Sequence, residues 1–187
     1  MKQNQVVLIY GMPASGKYTV AKKIQEKCGG ILMDNHYFYD LFKGLTDVSD
    51  EKWYEYSEYI IAIRKIFLEV LGKYHPQNKH IRYIFTGVIV RGEKFPAELK
   101  KFAQNLDADF IPIELNVQPN ELLARCDNEQ RRKRNKISNK AKYSILLKDW
   151  LPRAFHSKSP NRLIINSTNL TPDETFTMVR RHLKKFD

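Results

Sequence analysis

Short apolar runs alternate with amphipathic stretches along this chain. The first run, Gln5–Tyr10, is apolar after its opening glutamine and ends at Gly11, a pattern typical of a buried parallel strand. Apolar and basic residues at helical spacing follow in Lys17–Cys28, and Gly29 ends that pattern. The chain therefore begins with a strand, a glycine-containing turn and a helix.

The same alternation continues to the end of the sequence. Short apolar runs predict four more strands: Ile31–Asp34, Ile81–Val90, Asp109–Val117 and Asn161–Thr168. Apolar residues three or four positions apart predict further helices: Asp50–Tyr74, Phe95–Leu106, one that starts with Pro119–Cys126, and a last one capped by Thr171 with Glu174. Strands that alternate with helices favour an α/β fold, in which helices cover both faces of a parallel sheet.

Length and composition fit one globular domain over residues 1–187. Hydrophobic residues make up 42% and charged residues 28%, and no repeat, low-complexity tract or linker divides the chain. No apolar stretch reaches the roughly 18 residues of a membrane span, and no small-residue cleavage site marks a signal peptide. Cys28 and Cys126 lie far apart in the sequence. We therefore expect a cytoplasmic protein with free thiols.

The charge balance is strongly basic. With 32 Lys and Arg against 21 Asp and Glu, the net charge is +11. Such an excess favours an anionic partner, which can be a nucleotide, a phosphorylated metabolite or nucleic acid. A solvated basic surface accounts for the total equally well. Placement is more informative, because much of the excess lies in one run, Arg131–Lys136.

The turn after the first strand reads GMPASGKYT, from Gly11 to Thr19. In a loop of this kind, glycines let backbone N–H groups point at phosphate oxygens, and the following helix adds its positive dipole end. A lysine contributes a point charge to the outer phosphates. The context predicts a nucleotide-binding P-loop formed by Gly11, Pro13, Ala14, Ser15, Gly16, Lys17, Tyr18 and Thr19. An ordinary glycine turn with a solvated lysine is the alternative.

Tyr18 stands where the familiar loop has a serine or threonine that binds Mg²⁺. A phenol cannot occupy the same place, and Thr19 restores a hydroxyl one residue later. The arrangement resembles the adenylate-kinase type of loop, GxxxxGKGT, in which Mg²⁺ is held largely through water because it keeps much of its hydration shell. We therefore expect ATP and Mg²⁺ as cofactors, with no direct protein ligand of the metal and with Thr19 and Asp34 near it.

The second predicted strand ends in DNHYFYD, which begins at Asp34. In an open parallel sheet, ligands bind beyond the carboxyl ends of the strands. A carboxylate there can accept a proton from a substrate hydroxyl or orient it. The alternative is that Asp34 caps a short helix, His36–Phe42. His36 is a further candidate for substrate binding, with packing or capping as its alternative.

The third predicted strand ends in FTGVIVRG. Thr86 and Gly87 are expected to approach the substrate or the γ-phosphate at this end. Arg91 follows shortly after and is expected to pair with an anionic substrate, unless it is a solvated loop residue. The region of approximately residues 35–78, which contains the long helix, is inserted on the substrate side, and its aromatic stripe is mostly core.

The basic run follows the fourth predicted strand, in the segment ELLARCDNEQRRKRNK. Phosphoryl transfer needs cations around the migrating group, commonly arginines on a flap that closes and excludes water. We therefore predict a mobile lid at approximately residues 125–140, whose candidate cations are Arg125, Arg131 or Arg132, and Lys136. Nucleic-acid contact and an inert solvated face are the alternatives.

These segments together resemble the small P-loop kinases of the nucleoside-monophosphate and shikimate kinase group, including AAA-family ATP-binding proteins labelled shikimate kinase-like. The resemblance covers GMPASGKYT, MDNHYFYDLF, YIFTGVIV, RCDNEQRRKRNKIS, Leu151–Pro160 and NSTNLTPDE. It implies a P-loop NTPase fold, a three-layer α/β/α sandwich with a five-stranded parallel sheet and a mobile lid. It also implies Lys17 and Thr19 on ATP, Asp34 near the acceptor, Arg125 and Arg131 on the lid, and Thr168 and Asn169 near adenine.

The residues and the resemblance predict an ATP-dependent kinase that moves the γ-phosphate to a hydroxyl of a small metabolite, nucleotide or shikimate-like acceptor. The candidate catalytic residues are Lys17, Asp34, Arg125 and Arg131. True shikimate kinases carry Asp-x-Asp and Gly-Gly-Gly where this chain has DNH and TGV, so the acceptor stays open. A polynucleotide or RNA-processing kinase and a non-catalytic ATP sensor are the alternatives. A monomer or homodimer without a membrane partner is expected.

Overall fold

A computed structural model describes residues 3–42, 53–76, 80–88, 94–127, 129–133 and 136–187 of the chain. Its strands are β1 (Asn4–Tyr10), β2 (Ile31–Met33), β3 (Arg82–Gly87), β4 (Ala108–Asn116) and β5 (Leu163–Asn166). Its helices are α1 (Lys17–Cys28), α2 (His36–Asp40), α3 (Trp53–Lys73), α4 (Lys94–Asn105), α5 (Pro119–Cys126), α6 (Glu129–Lys133), α7 (Lys140–Trp150) and α8 (Pro172–Leu183). Short 3₁₀ turns follow α7 and α8, at Leu151–Arg153 and Lys184–Phe186.

The five strands form one parallel sheet in the order β2-β3-β1-β4-β5. Tyr10, the last residue of β1, lies beside Gly87 of β3 and Glu114 of β4. The chain crosses from β1 first to one side of the sheet and later to the other, which opens a crevice at the carboxyl ends of the central strands. This topology confirms the predicted α/β fold and its five-stranded parallel sheet.

Side chains of β1 alternate between two cores, as a strand buried on both faces requires. Val7 and Ile9 are buried against α1 and α8 on one face. Val6 and Leu8 are buried against α3 and α4 on the other. The sheet is therefore the middle layer of three, and the carboxyl end of β1 lies between two packed helical layers.

Three strands are shorter than the apolar pattern predicts, and β2 differs only in that it ends at Met33 and not at Asp34. β3 ends at Gly87, because its partner β1 ends at the matching position and turns into the loop. The last two residues of the predicted strand, Ile89 and Val90, fall outside the described residues. β5 covers Leu163–Asn166 and not Asn161–Thr168, since β4 pairs with it only as far as Asn116. The predicted start of the long helix at Asp50 falls outside the described residues. None of these differences changes the fold class.

Helix α7 is absent from the sequence-based prediction. Its cap, Asn139, accepts a hydrogen bond from the backbone N–H of Lys142 at 3.0 Å. Tyr143 and Leu147 are buried against α5, while Ile145 is exposed. The sequence does carry a helical period that the prediction did not use, since residues three or four positions apart pack in one cluster: Tyr143, Leu146, Leu147 and Trp150. The cluster around Tyr143 includes Met12, so α7 supports the loop after β1.

The cysteines and the helices bear on two further expectations from the sequence. Cys28 and Cys126 are both free thiols, as expected from their separation. Within the described ranges, no helix has the length and apolar character needed to cross a membrane.

Candidate nucleotide and acceptor site

The loop that joins β1 to α1 depends on backbone positions that most residues avoid. Gly11 has φ +148°, and a Cβ on it would lie 2.4 Å from the carbonyl oxygen of Leu115. Gly16 has φ +93° and is the N-cap of α1. Ala14 has φ +67° although it is not glycine, which is uncommon and concentrates at functional sites. The glycines are therefore required by the shape of the loop.

Lys17 folds back across this loop. Its Nζ donates hydrogen bonds to the carbonyl oxygens of Gly11 at 2.9 Å and Met12 at 2.8 Å. Burial lowers the pKa of Lys17 to about 7, and the positive charges of Lys136 and Arg131 act in the same direction, whereas Asp34 opposes them. An anion beside Lys17 would restore its positive charge.

The donors of the loop fit phosphate. Ser15 is buried, and its Oγ has no hydrogen-bond partner within the described part of the chain. Such an orphaned hydroxyl is costly unless something else satisfies it. It lies beside Gly11, 3.0 Å from where a Cβ would stand. With the backbone N–H groups at the N-terminus of α1 and the ammonium of Lys17, it makes a set of donors suited to phosphate oxygens.

Asp34 and Thr86 meet at the carboxyl end of the sheet. Asp34 follows β2, Thr86 is the penultimate residue of β3, and both are buried. The Thr86 hydroxyl donates to Asp34 Oδ1 and accepts from the backbone N–H of Asn35 at 3.2 Å. The backbone carbonyl of Asp34 accepts from the N–H of Tyr37 at 2.9 Å, so Asp34 also lies at the start of α2 and the capping alternative stays open. Thr86 orients the Asp34 carboxylate.

One cation of the predicted lid lies near this carboxylate, and a second lies on the same segment. Lys136 Nζ lies 4.0 Å from Asp34 Oδ2. The guanidinium of Arg131 donates to the carbonyl oxygen of Ile137 at 3.1 and 2.9 Å. Burial lowers the pKa of His36 to about 4, with Lys136 acting in the same direction and Asp34 opposing it, so His36 is neutral at neutral pH.

Arg125 occupies a different place. It lies on α5, where its Nε donates to Glu121 Oε1 at 2.7 Å. Its Nη2 donates to the carbonyl oxygens of Ser167 at 3.0 Å and Thr168 at 2.7 Å. Arg125 therefore ties α5 to the loop after β5, where Asn169 is exposed beside Thr168. The structure brings Arg125 together with Thr168, whereas the charge of Arg131 acts on Lys17 and His36.

Arg64 is a candidate site residue that sequence analysis did not single out. Its Nη1 donates to Asn35 Oδ1 at 3.2 Å, and its guanidinium carbon lies 4.4 Å from the ring centroid of Phe95. Its Nε is buried and has no partner among the residues that the structure describes. The one sequence signal was a basic residue within an otherwise apolar and aromatic stripe. Gly87 lies next to Thr86 at the end of β3, and Arg91 lies outside the described residues.

Comparisons with known proteins show which solved structures have a similar fold. The sequence matches no protein-family model, and no curated protein is significantly similar to it. The structure of an inferred kinase from Chloroflexus aurantiacus aligns over 100% of both chains, with a TM-score of 0.68 and 15% identity. The APS kinase of Mycobacterium tuberculosis in complex with AMPPNP and APS aligns over 98% of this chain and 99% of its own, with a TM-score of 0.56 and 16% identity.

Shikimate kinase from Aquifex aeolicus aligns over 97% of each chain, with a TM-score of 0.56 and 15% identity. The structural neighbours are small P-loop kinases, which confirms the predicted fold. At such low identity the likeness shows the fold alone.

Proposed function

We propose that this chain is an ATP- and Mg²⁺-dependent kinase that transfers the γ-phosphate to a hydroxyl of a small metabolite, nucleotide or shikimate-like acceptor. The observation that carries the proposal is that Lys17 of the loop and the buried, oriented carboxylate of Asp34 share one crevice, close enough for Asp34 to act on the pKa of Lys17. Phosphoryl transfer consists mainly of positioning and charge stabilisation, and this crevice provides both.

The loop and the segment after β5 would hold the nucleotide. Ser15 and the backbone N–H groups of α1 would bind phosphate oxygens, and Lys17 would place its charge on the outer phosphates. Mg²⁺, held by the phosphates and its waters with Thr19 and Asp34 nearby, would neutralise charge that develops on those phosphates. The proposed ATP contacts are Gly11, Pro13, Ala14, Ser15, Gly16, Lys17, Tyr18, Thr19, Arg125, Thr168 and Asn169.

Asp34 would act as the base. It accepts the proton of the acceptor hydroxyl as that oxygen bonds to the γ-phosphorus and the bond from phosphorus to the bridging oxygen of ADP breaks. Thr86 keeps the carboxylate oriented through its hydrogen bond. Arg131 and Lys17 stabilise the negative charge of the migrating group, and Arg125 acts from the nucleotide end.

The acceptor would lie against α2, β3 and α3. His36, Thr86 and Gly87 are proposed to contact it, together with Arg91, which is outside the described residues. The buried Nε of Arg64 supports an acceptor that brings a hydrogen-bond acceptor or a negative charge to this wall.

The decisive experiment is transfer of labelled γ-phosphate to a panel of hydroxylated metabolites, nucleosides, antibiotics and oligonucleotides. Lys17→Ala is expected to lose about a hundredfold or more in rate, because it removes a charge that stabilises the transition state. Asp34→Asn should lose transfer while ATP still stabilises the protein in a thermal-shift assay. Asp173→Asn, on the exposed start of α8, is the matched control and should transfer at the wild-type rate.

Three outcomes would redirect the proposal. Wild-type transfer by Lys17→Ala would exclude this loop as the phosphate site. Stabilisation by ATP with no transfer to any acceptor would favour an ATP sensor. Tight and steeply salt-dependent binding of oligonucleotides would favour the polynucleotide kinase alternative, for which the net charge of +11 is the supporting observation.

A further inference from the structure

Phosphate binding does not account for the choice of tyrosine at position 18. The structure places a cation of the lid on that ring, because Lys136 Nζ lies 4.9 Å from the ring centroid of Tyr18. The same ammonium lies 4.0 Å from Asp34 Oδ2. We propose that Tyr18 is a lid seat, a positioning residue whose ring face binds Lys136 and holds that ammonium beside the acceptor carboxylate. The proposal rests on the kinase function proposed above.

The burial of the Lys136 side chain strengthens its contact with the ring of Tyr18. The side chain of Lys136 is only 14% exposed. An ammonium removed from water needs compensating partners, and the carboxylate of Asp34, at 4.0 Å, is one of them. The negative face of an aromatic ring attracts a cation, and this attraction strengthens when both groups are desolvated. The ring of Tyr18 therefore supplies part of what holds Lys136 in place.

Both partners are attached to ordered parts of the molecule. Tyr18 lies in the first turn of α1 and packs against the core between α1 and the sheet. The backbone N–H of Lys136 donates to the carbonyl oxygen of Arg131 at 3.0 Å, and Arg131 in turn binds the carbonyl oxygen of Ile137. The contact thus joins the phosphate loop to the carboxyl-terminal end of the basic run.

The consequence is electrostatic. Lys136 acts on both Lys17 and His36 by lowering their pKa values, so its charge reaches the phosphate side and the acceptor side of the crevice. A lid cation held there meets the phosphoryl group on its path from ATP to the acceptor. Without the ring, Lys136 would spend more time in solvent, and the charge would be missing when transfer occurs.

Amine labelling of the ligand-free protein tests the seat without requiring activity. Acetylation of Lys136 is followed by peptide mass spectrometry in the wild type, in Tyr18→Leu, which lacks a π face, and in Tyr18→Phe, which keeps one. The Lys136 rate should rise about fivefold in Tyr18→Leu and by less than about twofold in Tyr18→Phe. Lys22, which is 52% exposed, is the internal control and should react equally in all three proteins.

An unchanged Lys136 rate in Tyr18→Leu would overturn the proposal, and so would an equal rise in Tyr18→Phe, since the hydroxyl and not the ring would then hold Lys136. The kinetic arm uses whichever acceptor the screen identifies. Tyr18→Leu should lower kcat about tenfold while the ATP KM changes less than about twofold, because the ATP contact proposed for Tyr18 is its backbone N–H, which leucine keeps. Adding Lys136→Met should cost little more. A fully additive double variant would contradict the coupling.

The two arms separate this proposal from the kinase function. If no acceptor is phosphorylated but the labelling pattern is as expected, the contact between Tyr18 and Lys136 is supported and the kinase proposal is contradicted. If phosphoryl transfer occurs but Tyr18→Leu has the Lys136 labelling rate and the kcat of the wild type, the kinase proposal is supported and the role of Tyr18 is contradicted.

Discussion

The hydroxyl of Tyr143 donates a hydrogen bond of 2.5 Å to the carbonyl oxygen of Pro13. Tyr143 lies on α7 and is fully buried, and Pro13 belongs to the phosphate loop. Burial raises the pKa of the Tyr143 phenol, which keeps its proton available for donation. The shape of the loop thus depends on a helix far away in the sequence.

Tyr143→Phe should therefore weaken both the fold and the nucleotide site. Leaving the Pro13 carbonyl oxygen unsatisfied is expected to lower the free energy of unfolding by about 1–2 kcal/mol. Urea denaturation measures this change, and calorimetry measures the accompanying loss of ATP affinity. Tyr59→Phe on α3, where the side chain is largely exposed, is the matched control and should change stability by less than about 0.5 kcal/mol. Equal stability of the two variants would contradict this role of the hydrogen bond.

Two glycine substitutions should have opposite effects. Gly11→Ala would place a Cβ 2.4 Å from the Leu115 carbonyl oxygen at a φ that disfavours alanine, so stability should fall by about 2 kcal/mol or more and ATP binding should be lost. Gly72→Ala lies within α3, where the nearest atom to the new Cβ is 3.9 Å away on Phe102, so it should raise stability by about 0.5–1 kcal/mol. Thermal denaturation of both variants checks the contrast.

ATP affinity should depend on pH through Lys17. The pKa of Lys17 is lowered to about 7 without ligand, and phosphates would raise it, so binding above pH 7 should take up a proton. The apparent Kd should therefore rise from pH 7 to pH 9, by at most about tenfold per pH unit. Calorimetry in buffers of different ionisation enthalpy measures the proton uptake. Lys17→Met should abolish the uptake, whereas Lys22→Met on the exposed side of α1 should retain it.

The same group affects stability without ligand. Below pH 7 the folded protein carries the full cost of a buried, charged Lys17, because folded and unfolded states are both protonated. Between pH 7 and the ordinary lysine pKa near 10.5, the unfolded state binds more protons, so the contribution of Lys17 to stability should improve as pH rises. Comparing wild type with Lys17→Met across this window isolates that contribution. A flat difference would mean that the pKa of Lys17 is not lowered.

A buried arginine fastens the carboxyl-terminal residues to the sheet. Arg82 of β3 donates to Asp187 Oδ1 at 2.6 Å and to Gln5 Oε1 at 2.6 Å. Because Arg82 is buried while Asp187 is 37% exposed, Asp187→Ala should cost about 1–3 kcal/mol. The control, Asp173→Ala, removes a pair with Lys23 in which the aspartate is 81% exposed, so it should cost no more than about 1 kcal/mol. Urea denaturation of both variants distinguishes a buried pair from a surface pair.

Sequence reasoning succeeded where local chemistry decides the structure. The loop at Gly11 and Lys17 was predictable, since glycine turns followed by a lysine and a helix have few other uses. Asp34 was predictable because a residue after a parallel strand must lie at the carboxyl edge. The capped start of α8 was equally readable, and Thr171 and Glu174 do form the reciprocal bonds of a capping box.

Sequence reasoning failed where contacts between residues far apart in the chain determine the position of a side chain. The sequence groups Arg125 with the lid, but its direction on α5 is set by packing against the loop at Ser167 and Thr168. Helix α7 is a different case, because its apolar stripe is present in the sequence and the prediction left it out: Tyr143, Leu146, Leu147 and Trp150. Arg64 gains its place only when the fold brings α3 beside Asn35. Interactions across many residues are invisible to periodicity.

The packing of α5 against α7 has a consequence for how this protein can diversify. Leu122 and Cys126 on α5 share one buried cluster with Tyr143 and Leu147 on α7. The intervening basic segment therefore leaves and rejoins the domain at one fixed place, and lengthening such a connection costs little closure entropy. A change in the length of this segment should therefore leave the contact between α5 and α7 in place, and with it the support that Tyr143 gives to the phosphate loop.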